Sequence, residues 1–347
     1  VTALAFELPS GLEAAAPQEA WGTPRDHVRL MVASRAEETV EHATFDALPD
    51  VLRSGDLLVV NVSATLPAAV AARRADGSAA RVHVSTRAPA LGPDWRIVEV
   101  RSPDGAHPDT GSDGEELTLA GGARVSLTMP YTSGRRLMLA KLTELGGRTV
   151  EAYLAEHGEP IRYSYVDRRW PLTDYQNVYA AEPGSAEMPS AGRPFTEALI
   201  TRLVARGIQI APITLHTGVS SPERHEDPYP EHYDVPRSTA RLVDAFTRWG
   251  GRVIAVGTTV VRALETMAEC GDWSTSGSSG WTDVRITPER GVWLIDGLIT
   301  GWHEPEASHL EMLEAIAGRD LLERCYDAAL RHGYLWHEFG DSHLILP

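Results

Sequence analysis

Hydrophobic periodicity changes near residue 69 and changes back near residue 146, and that double switch leaves few folds open. Up to residue 68 the chain reads as α/β, with Val28 to Ala33 a strand, Phe45 to Leu52 a short helix and Asp56 to Asn61 a buried strand ending on a polar residue. Short alternating runs then take over at 81–85, 95–100, 116–119 and 124–129, separated by Gly, Pro and Asp clusters. They predict an all-β module of five or six strands, closing into a small barrel. After Gly147 helices and strands alternate again. Helices are expected at Thr149 to Glu156, Phe195 to Arg206, Arg237 to Trp249, Val260 to Ala268 and across 307–332. Strands are expected at Ile208 to Leu215, Arg252 to Val256, near 281–287 and 292–295, and at His343 to Leu346, while residues 271–280 read as a flexible surface loop. The fold class is therefore an α/β main domain, a layered sheet with flanking helices, interrupted by a small barrel-like insertion. Residues 1–68 plus 147–347 make the discontinuous domain and 69–146 the insertion.

A chain of 347 residues that is 43% hydrophobic can bury two cores and is not disordered. Its net charge of −16 should repel a polyanion unless a local basic surface overrides the field. The acidity is uneven: residues 69–146 hold 10 basic and 9 acidic groups, so the excess lies in the remainder. Two cysteines, Cys270 and Cys325, exclude a disulfide framework and point to a reduced cytosol. Neither a basic-then-apolar leader nor an apolar run of ~20 residues is present, so a cytoplasmic protein without membrane segments is expected. Arg accounts for 31 of the 32 basic residues, and the one lysine, Lys141, has nothing around it to suggest a Schiff base.

The sharpest local signal is Arg252 to Glu265, an apolar strand passing through Gly257 into a helix that Thr258 and Thr259 can cap. Free N–H groups at such a strand end favour anionic ligands. Arg262 near the start of that helix opposes the dipole and needs an anion, either Glu265 one turn on or a ligand carboxylate or phosphate. Residues 175–196 form a long irregular stretch entering a helix at Thr196, the setting of a binding loop or of a plain surface excursion. His216, at the end of one strand and beside Gly218, is a candidate for proton transfer, as is His303, with Asp296 in the turn before its strand. His225, Asp227 and His232 share one loop, and His303 and His309 are six apart, but neither set has metal-ligand spacing, so no metal is expected. Walker, dinucleotide-fingerprint and nucleophile-elbow motifs are absent.

Taken together, several segments resemble the S-adenosylmethionine:tRNA ribosyltransferase-isomerase family of queuosine biosynthesis. They include Phe6 to Pro9, Gly55 to Asn61, Tyr175-Gln176, Gly184-Ser185, Pro189 to Gly192, Thr214 to His216, Arg252 to Glu265, Trp281 to Asp283, Asp296 to Leu298, His303 and Gly340-Asp341. The resemblance implies transfer and isomerisation of the ribosyl group of S-adenosylmethionine onto 7-aminomethyl-7-deazaguanine in tRNA. Epoxyqueuosine forms, and adenine and methionine leave. It implies S-adenosylmethionine as a substrate with no bound cofactor, and tRNA as partner. His216 and His303 would handle protons and Arg262 would anchor the methionine carboxylate. Tyr175, Gln176, Ser190, Gly192, Thr258, Thr259 and Asp296 would line the pocket. The chain departs from the family pattern at Val62 to Ala64, Pro194, Val219 to Pro222, Pro228 to Pro230 and Glu304 to Glu306, and reads Arg101 to Gly105 where a basic run is expected. Those departures and the acidity frame the alternative: a diverged paralogue with a similar pocket acting on a small molecule, or a non-catalytic binding protein.

Overall fold

A computed structural model describes residues 4–131, 134–166, 168–219, 229–271, 273–305 and 307–347. Among them the main sheet has nine strands. Its centre is four parallel strands in the order β12 (Gln209–Leu215), β3 (Asp56–Asn61), β14 (Arg252–Val256) and β16 (Gly297–Thr300). Beyond β16 lie β17 (Ser342–Leu346), β1 (Arg29–Ser34) and β2 (Thr39–Thr44). Beyond β12 the antiparallel strands β13 (Glu231–Val235) and β15 (Ser278–Thr282) close the other edge. All six residues of β3 are buried, as expected of a central parallel strand covered on both faces. Leu57 and Val59 join a core with α4 (Arg237–Trp249), α5 (Thr258–Glu269), α7 (His309–Ala317) and α8 (Arg319–His332), while Leu58 and Val60 face the core under α3 (Glu197–Ala205) and the short α1 (Leu48–Val51). Asp56, fully buried, pairs with Arg252 at 2.6 Å across the neighbouring strand and fixes the register at the amino end.

The alternating runs form a closed antiparallel barrel of six strands, in the order β10 (Leu137–Thr143), β7 (Trp95–Arg101), β6 (Ala79–Arg87), β5 (Ala69–Arg73), β8 (Glu116–Leu119) and β9 (Arg124–Pro130). Its interior is filled by Val70, Val82, Val98, Leu117, Val125 and Met138, so it is a packed core rather than a channel. Helix α2 (Val150–His157), capped by Thr149, adds Val150, Tyr153 and Leu154 to that core, and the Tyr153 hydroxyl donates to the Ala120 carbonyl at 2.6 Å. A two-stranded parallel ribbon, β4 (Ser63–Thr65) with β11 (Glu182–Ser185), leads from the central strand toward the barrel.

Three expectations are corrected, the first being the strand near 281–287, which forms earlier as β15 and ends at Thr282. Residues 271–280 are no surface loop: they include α6 (Trp273–Ser276) and the start of β15, whose low-complexity sequence is held by pairing with β13. No strand forms at 292–295; the strand starts at Gly297, because Val292 to Ile295 is drawn toward α5 by amide bonds from Trp293 and Leu294 to Glu265. No described helix is long and apolar enough to cross a membrane.

Candidate active site

The carboxyl ends of β12, β3, β14 and β16 lie on one edge, where open parallel sheets hold their ligands. Asn61, at the end of β3, ties this edge together. Its Oδ1 accepts from the N–H groups of Leu215 (3.0 Å) and Ser63 (3.1 Å), and its Nδ2 donates to the Leu215 carbonyl (2.8 Å) and Thr259 Oγ1 (3.3 Å). Beside it Gly257, with a φ of 100°, turns β14 into α5. The Thr258 and Thr259 amides head that helix without a carbonyl partner among the described residues. The turn Ser190 to Gly192 covers them, with Ala191 against Gly257. Gly192 is required for fit: a Cβ there would fall 2.0 Å from the Tyr179 hydroxyl.

His216, just past β12, is held by a chain of hydroxyls. The Thr217 N–H donates to Ser185 Oγ (3.0 Å), which lies 2.6 Å from Ser63 Oγ, itself 2.8 Å from His216 Nδ1. Every proton in this chain has an acceptor when Ser185 donates to Ser63 and Ser63 to Nδ1, which leaves the ring proton on Nε2. Burial, aided by His232, pushes this imidazole down to about 4, so it is neutral at physiological pH. The ring lines a cavity of about 80 Å³ with His232, Arg87 and Glu151.

His303 stands past β16 with Nε2 2.9 Å from Thr300 Oγ1 and its ring stacked on His309 at 4.6 Å. Burial, with His309 and His343 as neighbours, holds it well below the usual imidazole range. Desolvation by the packed groups around its ring, and then Arg262, bring His309 down to about 4. Three strand spacings separate β12 from β16, roughly 14 Å, so His216 and His303 stand at well-separated points of the edge.

Arg262 has an internal partner. It pairs with Glu231 of β13 and donates to the carbonyls of Thr282 (2.9 Å), Val284 (3.3 Å) and Tyr229 (3.4 Å), while Glu231 also accepts from the Gly218 N–H at 2.8 Å. Burial raises the Glu231 carboxyl above the ordinary range, with Arg262 opposing the shift. Glu265, the partner expected for Arg262 within the chain, is not the one used. Glu265, one turn on, is instead taken up by Arg290 (3.1 Å) and the amides of Trp293 and Leu294. Two further residues are spent elsewhere. Asp296 accepts from the Val253 N–H at 2.8 Å, at the amino end of β14 and away from the other candidates. Gln176 gives both ends of its amide to the Thr65 backbone. Tyr175 is buried beside Phe339 and Met188 and lines a second cavity, toward the barrel. His225 and Asp227 lie outside the described residues, and among those described no cluster of three or more His, Cys, Asp or Glu could hold a metal.

Similarity extends over the whole chain. A family model described as "Queuosine biosynthesis protein" matches residues 1–345. The chain belongs to that family. Among its queuosine-family relatives, a protein of Symbiobacterium thermophilum named S-adenosylmethionine:tRNA ribosyltransferase-isomerase is 37% identical, with 98% of each chain covered. One of the same name from Moorella thermoacetica is 36% identical over the same shares. The crystal structure of S-adenosylmethionine tRNA ribosyltransferase from Thermotoga maritima is 30% identical, covers 98% of this chain and 99% of its own, and superposes with a TM-score of 0.56.

Sequence reasoning missed Asn61, Ser63, Ser185 and Glu231 as parts of the site. Asn61 carried a signal, a polar residue ending an otherwise apolar strand. Glu231 carried one only through the family resemblance, which keeps this Glu beside the departures at Pro228 to Pro230; its strand was not recognised.

Proposed function

We propose that this chain transfers and isomerises the ribosyl group of S-adenosylmethionine onto 7-aminomethyl-7-deazaguanine in tRNA, giving epoxyqueuosine with loss of adenine and methionine. The single observation that carries the reading is the end-to-end likeness to proteins of that name, 37% identical over 98% of both chains. The sulfonium of S-adenosylmethionine acidifies the adjacent C5′–H, so the reaction needs a base there, a donor for departing adenine and an anchor for the methionine carboxylate. The amides of Thr258 and Thr259, with their hydroxyls and Ser190 alongside, supply the anchor at the positive end of α5. Arg262 supports the anchor from behind, through Glu231 and Gly218. His216, neutral and protonated on Nε2, donates to the leaving adenine, as a neutral imidazole can without first gaining a proton. His303, deprotonated at working pH and some distance away, is the base.

S-adenosylmethionine is a substrate here, and no resident cofactor enters the scheme. A cytoplasmic location belongs to the same reading, as does the division into 1–68 plus 147–347 with 69–146 inserted. The test is incubation with S-adenosylmethionine, with and without tRNA bearing the precursor base. Adenine release that requires both is expected, and its absence would reject the proposal.

A further inference from the structure

A cavity of about 220 Å³ lies where the barrel strand β6 meets the segment 158–172. It is smaller than the roughly 300–1,000 Å³ of sites that enclose a drug-sized ligand, and suits one flat ring system better than a whole S-adenosylmethionine. Its floor is rigid: Ala69 and Glu159 exchange two backbone hydrogen bonds of 2.9 Å, joining β5 to the segment. Three guanidiniums line it. Arg81 (2.8 Å) and Arg169 share the single carboxylate of Glu159, and Arg162 donates to the Val166 carbonyl at 2.7 Å with no acidic partner among the described residues. The other acid in the lining, Asp104, is engaged in its own hairpin by Ser102 and Ala106. The wall therefore keeps a positive excess in a chain of charge −16.

Trp170 supplies the second half of the argument. Its indole lines the cavity and is steadied by the Arg168 guanidinium 3.7 Å from the ring centre. A stacking ring and surplus guanidiniums are what an unpaired RNA nucleotide requires: an aromatic face for the base and cations for its phosphate.

We infer that this cavity binds one unpaired nucleotide of the tRNA, next to but distinct from the one being modified, with its base on Trp170 and its phosphate on Arg169, Arg81 and Arg162. The inference rests on the function proposed above and adds a contact outside the S-adenosylmethionine pocket. It is tested with an anticodon stem-loop carrying the precursor base and a fluorescent label, titrated by anisotropy at several salt concentrations. Alongside, the KM for S-adenosylmethionine is measured from adenine release.

Trp170→Ala and Arg169→Glu should each weaken RNA binding about tenfold or more. Arg169→Glu should also lower the slope of log affinity against log salt by about one. Trp170→Phe should restore most of the affinity, because it keeps the stacking face. The KM for S-adenosylmethionine should not move. Arg169 is 68% exposed at its side chain, so its reversal keeps the test informative even where Trp170→Ala folds poorly. Unchanged RNA affinity in Arg169→Glu and Trp170→Ala, with a wild type that binds and modifies RNA, would overturn this inference alone. A rise confined to the KM for S-adenosylmethionine would reassign the cavity to that substrate and overturn it too. A wild-type protein that fails to bind RNA would overturn both this inference and the proposed function.

Discussion

The carboxyl edge of the main sheet and the seam against the barrel are both lined with charge, but they treat it in opposite ways. On the sheet edge the candidate groups among the described residues are matched or neutral: Arg262 has Glu231, and His216 and His303 are held neutral by burial. At the seam Arg81 and Arg169 compete for one carboxylate, and Arg162 has only a carbonyl. The difference teaches what each region is for. Matched charge fixes geometry, which chemistry needs to within fractions of an ångström. Surplus charge at the surface draws in a polyanion, and does so even on an acidic chain.

The largest effect should come from His216→Ala. Loss of a positioned proton donor is expected to lower kcat by roughly 10²–10⁴-fold, with RNA affinity unchanged in the anisotropy assay, the reverse of the seam variants. A fall in RNA affinity instead would erase the contrast between the regions. Next is Glu231→Ala, which strands a buried guanidinium and should cost ~3–5 kcal/mol in urea unfolding. Its counterpart at the seam, Glu159→Ala, removes a partly exposed carboxylate and should cost below about 1 kcal/mol while tightening RNA binding. Equal losses in the two would show that seam charge is as structural as that of the sheet.

Asn61→Ala should then lose ~1–3 kcal/mol, because it orphans the buried Leu215 N–H and frees the start of α5. A measured kcat that stays at the wild-type value would break its link to the site. The smallest effect concerns acid sensitivity. His343 is fully buried against Trp302, without a hydrogen-bond partner for either ring nitrogen among the described residues, and burial holds it at about 3. Its folded pKa is depressed, so the unfolded chain binds the extra proton. The stabilisation is therefore full above about 6.5 and fades as pH falls toward about 3. His343→Leu should flatten the drop in the urea midpoint between pH 7 and pH 4; an unchanged drop would assign it to other groups.

Much of the fold could be read directly. Asp56–Asn61, Arg237–Trp249 and Arg252–Val256 appear at the residues where periodicity placed them, and the barrel strands follow the alternating runs. The strands missed or misplaced include β2 and β15, which form the two edges of the main sheet, and the short β4, β11 and β13; Ser278 to Gly280 has no side-chain pattern to reveal pairing. The candidate site was legible in part: His216, Thr258 and Thr259 lie along one sheet edge because each ends or begins a recognisable element. Asp296 did not join them, since a turn before a strand sits at the wrong end of a parallel sheet.

The chain by itself determined which stretches are strands, which are helices and where the all-β texture begins, because those depend on the spacing of apolar residues within a few turns or a few pleats. Only the tertiary structure decided the partners: that Arg262 meets Glu231 rather than Glu265, that a hydroxyl relay from Ser185 through Ser63 reaches His216, and that Trp170 stands over a basic hollow. Such pairings join residues 31, 122 and 153 positions apart. The physical reason is that a charge or a hydrogen-bond donor is satisfied by whatever the fold brings within about 3 Å, and nothing in local sequence records that distance.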